Sequence, residues 1–217
     1  HDAKKTGKNI LFEGAQGTFL DVDFGTYPFV TSSNTVSSNA AVGSGFSVSN
    51  IEKVIGVAKA YTTRVGEGPF PTELTDAESC ALRDKGAEFG ATTGRPRRCG
   101  WLDLALLKRA VILNGVDSIA FTKLDILSGF KTIKVCTGYR RNGRPVDRFP
   151  LTVNEWENVE PEYVEMPGWD EPTGDIRKYD QLPAAARKYI SFVEEYLETR
   201  VEFVSVGSLR DAIIEKP

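Results

Sequence analysis

Ser118-Ile119-Ala120-Phe121-Thr122-Lys123-Leu124-Asp125 is an apolar run that ends on charge. Ser118 to Lys123 has the length of a buried strand, and the carboxylate of Asp125 falls just past its carboxyl end. Working outward, Leu102 to Leu113 carries the periodicity of an amphipathic helix, and Val54 to Val65 is β-rich and reads as a central strand. On the other side, Pro183 to Thr199 reads as a helix with Pro183 in its first turn. Val201 to Val206 then reads as a last strand, before Gly207-Ser208. Strands and helices in this order predict an α/β fold: a mixed, mostly parallel sheet flanked by helices. With no internal repeat and no linker, residues 1–217 read as a single α/β domain.

The remaining elements are less regular. Lys8 to Ala15 reads as a short buried strand entering the turn Gly14-Ala15-Gln16-Gly17. A helix is expected from Ser33 to Gly43 with Thr31 or Ser32 near its cap, and another from Thr75 to Lys85 with Thr75 as N-cap. Lys131–Arg140 and Pro145–Leu151 flank Arg141-Asn142-Gly143, and that Asn-Gly predicts an additional antiparallel hairpin. Asn154 to Asp180 has little periodicity and three prolines, so no element is assigned to it.

Composition narrows the classes. Of 217 residues, 41% are hydrophobic, an ordinary globular share, and the net charge of −3 gives no basic excess that would point to nucleic acid or an anionic membrane. No apolar run approaches the roughly 18 residues of a membrane span. Cys80, Cys99 and Cys136 are odd in number and widely spaced, which argues against a CxxC redox site and a zinc site and fits a reducing cytoplasm. The one histidine is His1, so neither a zinc-protease helix nor a Ser-His-Asp triad can be assembled. The chain opens on His1-Asp2 and its one methionine is Met166; it reads as an entry into the middle of a fold, a domain that continues upstream, with a processed amino terminus as the alternative.

Four clusters could carry chemistry. Phe89 to Gly100 packs three glycines, two threonines and three arginines into twelve positions. Guanidinium groups grip carboxylates and phosphates bidentately, threonine hydroxyls add donors, and glycines let backbone amides approach an anion. The same residues would also suit a solvated basic loop. In Thr122-Lys123-Leu124-Asp125 the carboxylate can accept from guanine N1–H and the 2-amino group, donors that adenine lacks, with the lysine stem along the base; alternatively Asp125 simply caps a strand end. Gln16, whose amide both donates and accepts, suits a purine edge or an ordinary turn. Thr31-Ser32-Ser33-Asn34 suits a phosphate at a helix start or plain capping. No G-x-x-x-x-G-K-[ST] phosphate loop and no dinucleotide GxGxxG occurs.

Taken in order, these stretches resemble the adenylosuccinate synthetase family. The resemblance runs from Leu11-Phe12-Glu13-Gly14-Ala15-Gln16-Gly17-Thr18 through Gly25-Thr26-Tyr27-Pro28-Phe29-Val30-Thr31-Ser32-Ser33-Asn34-Thr35 and Thr63-Arg64-Val65-Gly66-Glu67-Gly68-Pro69-Phe70-Pro71-Thr72-Glu73-Leu74. It continues through Glu88-Phe89-Gly90-Ala91-Thr92-Thr93-Gly94-Arg95, Trp101-Leu102-Asp103, Thr122-Lys123-Leu124-Asp125 and Met166-Pro167-Gly168-Trp169. It implies a fold like that of P-loop NTPases. It also implies a GTP-dependent, magnesium-assisted ligation: GTP phosphorylates O6 of IMP, and the amine of L-aspartate displaces that phosphate to give adenylosuccinate.

Residue by residue, the resemblance implies IMP contacts from Gln16, Thr31, Val65 and Arg95. It implies a loop from Ala91, Thr92, Thr93, Gly94, Arg95, Pro96 to Arg97 that grips aspartate, with Arg97 also reaching toward GTP. Lys123, Leu124 and Asp125 would read guanine, and Ser205, Val206 and Gly207 would line the base pocket, where Gly207-Ser208 replaces the family's more usual Gly-Pro. The family's phosphate loop, catalytic Asp and catalytic His lie upstream of the residues matched here, as does the arginine that crosses its dimer. This segment is therefore expected to hold no catalytic or metal-ligating residue, to be inactive alone, and to belong to a cytoplasmic homodimer. Other readings of the same residues are a generic GTP-binding switch module and a non-enzymatic domain binding acidic ligands.

Overall fold

The computed structural model describes residues 1–75, 77–90, 94–146, 150 and 152–217. One exposed turn, α1 (Asp2–Lys5), is followed by α2 (Asn39–Ser44), β1 (Ile55–Lys59), β2 (Thr62–Arg64), α3 (Ala77–Gly86), β3 (Arg98–Gly100), β4 (Leu102–Asp103) and α4 (Leu104–Asn114). Then come β5 (Ser118–Thr122), β6 (Phe130–Arg141), β7 (Arg144–Pro145), β8 (Val159–Trp169), α5 (Ala184–Leu197), β9 (Arg200–Ser205) and β10 (Ile213–Glu215). The main sheet runs β1-β5-β9-β10, with β1, β5 and β9 parallel and β10 antiparallel to β9. A second sheet joins β4, β6 and β7, with β8 also paired to β6, and β2 pairs with β3. The expected mixed α/β architecture is present.

Alternation explains the layers. In β5 the side chains of Ile119 and Phe121 enter the core, and α5 lays Tyr189, Ile190 and Val193 over them and over Val204. Tyr189 donates its hydroxyl to the Ala60 carbonyl at 2.7 Å, which anchors α5 where β1 ends. On the other face, Ile55 and Val57 of β1 remain 42% and 76% exposed. A smaller cluster of Cys136, Tyr139 and Trp156 sits apart from the main core, along the far half of β6.

Several expectations are corrected. Residues 8–15 form no strand: they are exposed, Leu11 at 90%, and no described segment pairs with them. A strand without a neighbour leaves its amides and carbonyls to water. The helix expected from Ser33 begins only at Asn39, because the Asp21 carboxylate accepts from the amides of Thr35 and Val36 and holds that stretch out of helix. The strand expected over Val54–Val65 breaks at the buried Ala60-Tyr61, where the chain leaves the main sheet and β2 turns to pair with β3. The helix expected from Thr75 is present as α3 over Ala77–Gly86, and Asp76, between it and Thr75, lies outside the described residues.

The hairpin is present at Asn142-Gly143, both with positive φ, yet β7 is two residues long, and positions 147–149 and 151 lie outside the described residues. The principal partner of β6 is β8, an eleven-residue strand in the stretch to which no element was assigned. At its end Gly168 passes so close to β6 that a Cβ there would stand 1.7 Å from the Phe130 carbonyl oxygen. Glycine in Met166-Pro167-Gly168-Trp169 is thus a packing requirement.

Candidate active site

Parallel strands deliver their carboxyl ends to one edge of a sheet, where loops can surround a ligand. Here Lys59 closes β1 beside Thr122 of β5, and Phe121 pairs with Val204, one residue before Ser205 closes β9. The edge therefore collects Lys59, the segment Lys123-Leu124-Asp125 and the segment Ser205-Val206-Gly207. Lys123 adopts φ +62° and starts a 3-10 turn over Leu124–Leu127. Leu124 is fully buried in the main core, so what it offers a ligand is backbone. Asp125 Oδ1 is buried and accepts from no described residue; burial raises the carboxyl above its ordinary value, against its own backbone N–H and Lys123. Val206 is fully buried and its amide donates to the Ala212 carbonyl at 3.0 Å, while Ser205 Oγ donates to the Gly207 carbonyl.

Beneath this edge lies Glu88, fully buried. Its Oε1 accepts from Lys59 at 2.8 Å, Tyr61 at 2.6 Å and Lys123 at 2.8 Å; its Oε2 accepts from Lys59 at 2.9 Å and Arg97 at 2.7 Å. Burial raises the carboxyl, but donation from Lys123, Lys59, Tyr61 and Arg97 outweighs it and holds Glu88 at about 2. Lys123 is further fixed by the Gly86 carbonyl at 2.6 Å. The three cations keep 27–32% of their side chains exposed, so the rim presented to solvent is positive over a buried negative centre. Glu88 and Lys59 were missed in reading the sequence for chemistry. The one available signal was a lone carboxylate abutting an arginine-rich run.

The arginine loop is built on that carboxylate. Arg97 N–H donates to the Glu88 carbonyl at 2.9 Å, Phe89 bridges Pro96, and Gly90 and Gly94 close the stem through Gly90 N–H to Arg95 O and Gly94 N–H to Gly90 O, both 2.8 Å. Gly94, Arg95 and Pro96 are exposed. Ala91, Thr92 and Thr93 lie outside the described residues. Arg98 is different: it forms a bidentate pair with Glu73 and donates to the Gly68 carbonyl, so it braces β3.

The residues expected at IMP come together in part. Asp21, fully buried, accepts from the amides of Asp23, Phe24, Thr35 and Val36 and organises residues 17–36 around itself. Thr31 N–H donates to Leu20 O within that unit, and Gly17, next to the exposed Gln16, accepts from Thr35 Oγ1. Arg64 at the end of β2 reaches the same unit through Thr26 and the Phe29 carbonyl. Val65, 56% exposed, follows Arg64, whose partner across the β2–β3 ladder is Arg98, so Val65 falls opposite Arg97.

Among the described residues, no three or more His, Cys, Asp or Glu side chains converge as a metal site would require.

Fold and site define a class: an α/β domain that gathers cations and a carboxylate at the carboxyl edge of a parallel sheet. A family model described as adenylosuccinate synthetase matches residues 1–214, and the chain belongs to that family. It is 52% identical over 211 residues to adenylosuccinate synthetase of Stenotrophomonas maltophilia (strain R551-3), covering 97% of this chain and 49% of the relative. With that of Trichlorobacter lovleyi it shares 56% over 205 residues, 94% of this chain and 48% of the relative. The chain thus spans about half the length of the curated relatives it matches. The structure of fully ligated adenylosuccinate synthetase from Plasmodium falciparum superposes with a TM-score of 0.97 at 41% identity, covering the whole chain and 52% of that protein. A cyanophage S-2L succinoaminodeoxyadenylate synthetase, 18% identical over 94% of this chain and 45% of that protein, shares the fold at a TM-score of 0.55.

Proposed function

We propose that this chain supplies the guanine-reading and carboxylate-gripping parts of a GTP-dependent ligase that joins IMP to L-aspartate. The observation that carries the reading is the positive rim over Glu88 beside Asp125, whose buried oxygen has no described partner. An unpaired buried acceptor costs about 1–3 kcal/mol, which a ligand bringing N–H donors would recover. Guanine brings two such donors on one edge; adenine does not.

In this reading Asp125 accepts from the base and the Lys123 stem flanks it, while Ser205 and Gly207 border it with backbone. Arg95 and Arg97 hold the aspartate carboxylates, and the rim lowers the cost of bringing two polyanionic substrates together. Gln16, Thr31 and Val65 hold IMP. Phosphorylation at O6 of IMP creates a leaving group, and the aspartate amine displaces it with release of phosphate. The groups in this segment position the partners and stabilise charge; they neither take nor give the reacting proton. Magnesium would arrive with the GTP phosphates and offset their charge. A homodimer and a cytoplasmic location belong to the same reading.

The test is Asp125→Asn in the full-length protein, assayed for adenylosuccinate with GTP and with xanthosine triphosphate. GTP efficiency should fall at least about tenfold, and xanthosine triphosphate, whose C2 carbonyl accepts from an amide, should become the better donor. Unchanged discrimination between the two would overturn the assignment.

A further inference from the structure

We propose that Glu88 is a positioning residue shared by two pockets, fixing Arg97 of the arginine loop and Lys123 of the guanine-side strand end on one carboxylate. The inference rests on the ligase reading above.

The geometry separates the two oxygens. Oε2 takes Arg97 and Oε1 takes Lys123, with Lys59 bridging both and Tyr61 completing Oε1. Three cations against one carboxylate leave a positive excess, so charge cancellation alone does not account for the arrangement. What Glu88 adds is direction. Arg97 arrives from a loop stem and Lys123 from beyond β5, and Glu88 itself is fixed by its main chain. Its N–H donates to Arg83 O at 2.9 Å, and its carbonyl accepts from Arg97 N–H at 2.9 Å. Long cationic side chains lose rotamer freedom when they bind a ligand; a buried carboxylate that has already fixed them reduces that cost in both pockets.

Glutamine at position 88 keeps one acceptor oxygen. Whichever way its amide turns, an NH2 faces either Arg97 or Lys123 and repels it. Across the population both cations lose their fixed placement, although neither substrate is touched by residue 88.

The experiment compares wild type, Glu88→Gln and Glu88→Asp as full-length protein, measuring kcat and the KM values for aspartate, GTP and IMP. Wild-type turnover tests the ligase reading by itself: no adenylosuccinate from it would overturn that reading. Given turnover, Glu88→Gln should raise the aspartate and GTP KM values together, each about tenfold, and leave the IMP KM within about twofold. Glu88→Asp keeps the charge but is one methylene short of spanning both cations. It should shift the same two KM values in the same direction by less, and it reads the proposal if the glutamine variant does not fold. A merely structural carboxylate would lower the active fraction, and hence kcat, with all three KM values unmoved; that result overturns the proposal. A rise in one KM alone would assign Glu88 to a single pocket and overturn the sharing.

Discussion

Burial pushes the Asp103 carboxyl up to about 6, against N-cap donation from Leu106 and the hydroxyl of Tyr139, which lies 2.8 Å from both carboxylate oxygens. The folded state therefore prefers the protonated acid. Its stabilising contribution is full below the ordinary value of 3.8 and is lost as pH rises through about 6. Asp103→Asn keeps a capping oxygen and cannot ionise, so urea midpoints of this variant should be flatter than wild type between those limits. Glu88 runs oppositely: held at about 2, its contribution is present above its ordinary 4.5 and is lost as pH falls through 2. The three arginines of the loop are alike in sequence but not in use. Arg95→Leu should raise the aspartate KM or lower kcat, together about ten- to a hundredfold in kcat/KM. Arg98→Leu should leave that KM alone and lower the melting temperature, since Arg98 is tied to Glu73 and Gly68. Wild-type aspartate kinetics in the Arg95 variant would refute its assignment.

At the level of elements, Gly168→Ala should destabilise by about 1–3 kcal/mol in denaturant unfolding, because the obstacle to the new methyl group is the backbone oxygen of Phe130, which cannot rotate away. The helices α4 and α5 and the strands β5 and β9 were legible because their apolar periodicity reports directly on which face is buried. β8 was not: Pro161 and Pro167 break the usual strand signature. They are tolerated because β8 is paired to β6 alone among the described strands. Residues 8–15 failed the other way, with a strand-like composition and no described strand to pair with. The site was half legible. Asp125, Lys123 and the arginines stood out by type and spacing. Glu88 did not, because Lys59 lies 29 positions away and Lys123 lies 35, and no local pattern encodes such a meeting.

For the whole molecule, the 217-residue chain assayed alone with GTP, IMP, aspartate and magnesium is expected to form no adenylosuccinate. Its sequence has no glycine-rich phosphate loop and its one histidine is the exposed His1; gripping the far ends of substrates does not lower the barrier at the reacting centre. Turnover near that of full-length relatives would show that the division of labour is wrong. The bare face of β1 should also make this chain self-associate. Sedimentation should find concentration-dependent species that Val57→Glu suppresses, given that Val57 is 76% exposed beside Ile55.

The separation of the Cys136–Tyr139–Trp156 cluster from the main core has its own consequence, along a single strand. Near its start β6 contributes Ile133 and Val135 to the large core, and their backbone amides can meet deuterated solvent only when the domain comes apart. From Tyr139 to Arg141 the apolar backing of the ladder is the small cluster, with Tyr139 tied to Asp103, so a local fraying event exposes it. Exchange should therefore quicken stepwise along β6, with its distal amides sensitive to Trp156→Ala and its proximal ones indifferent to it.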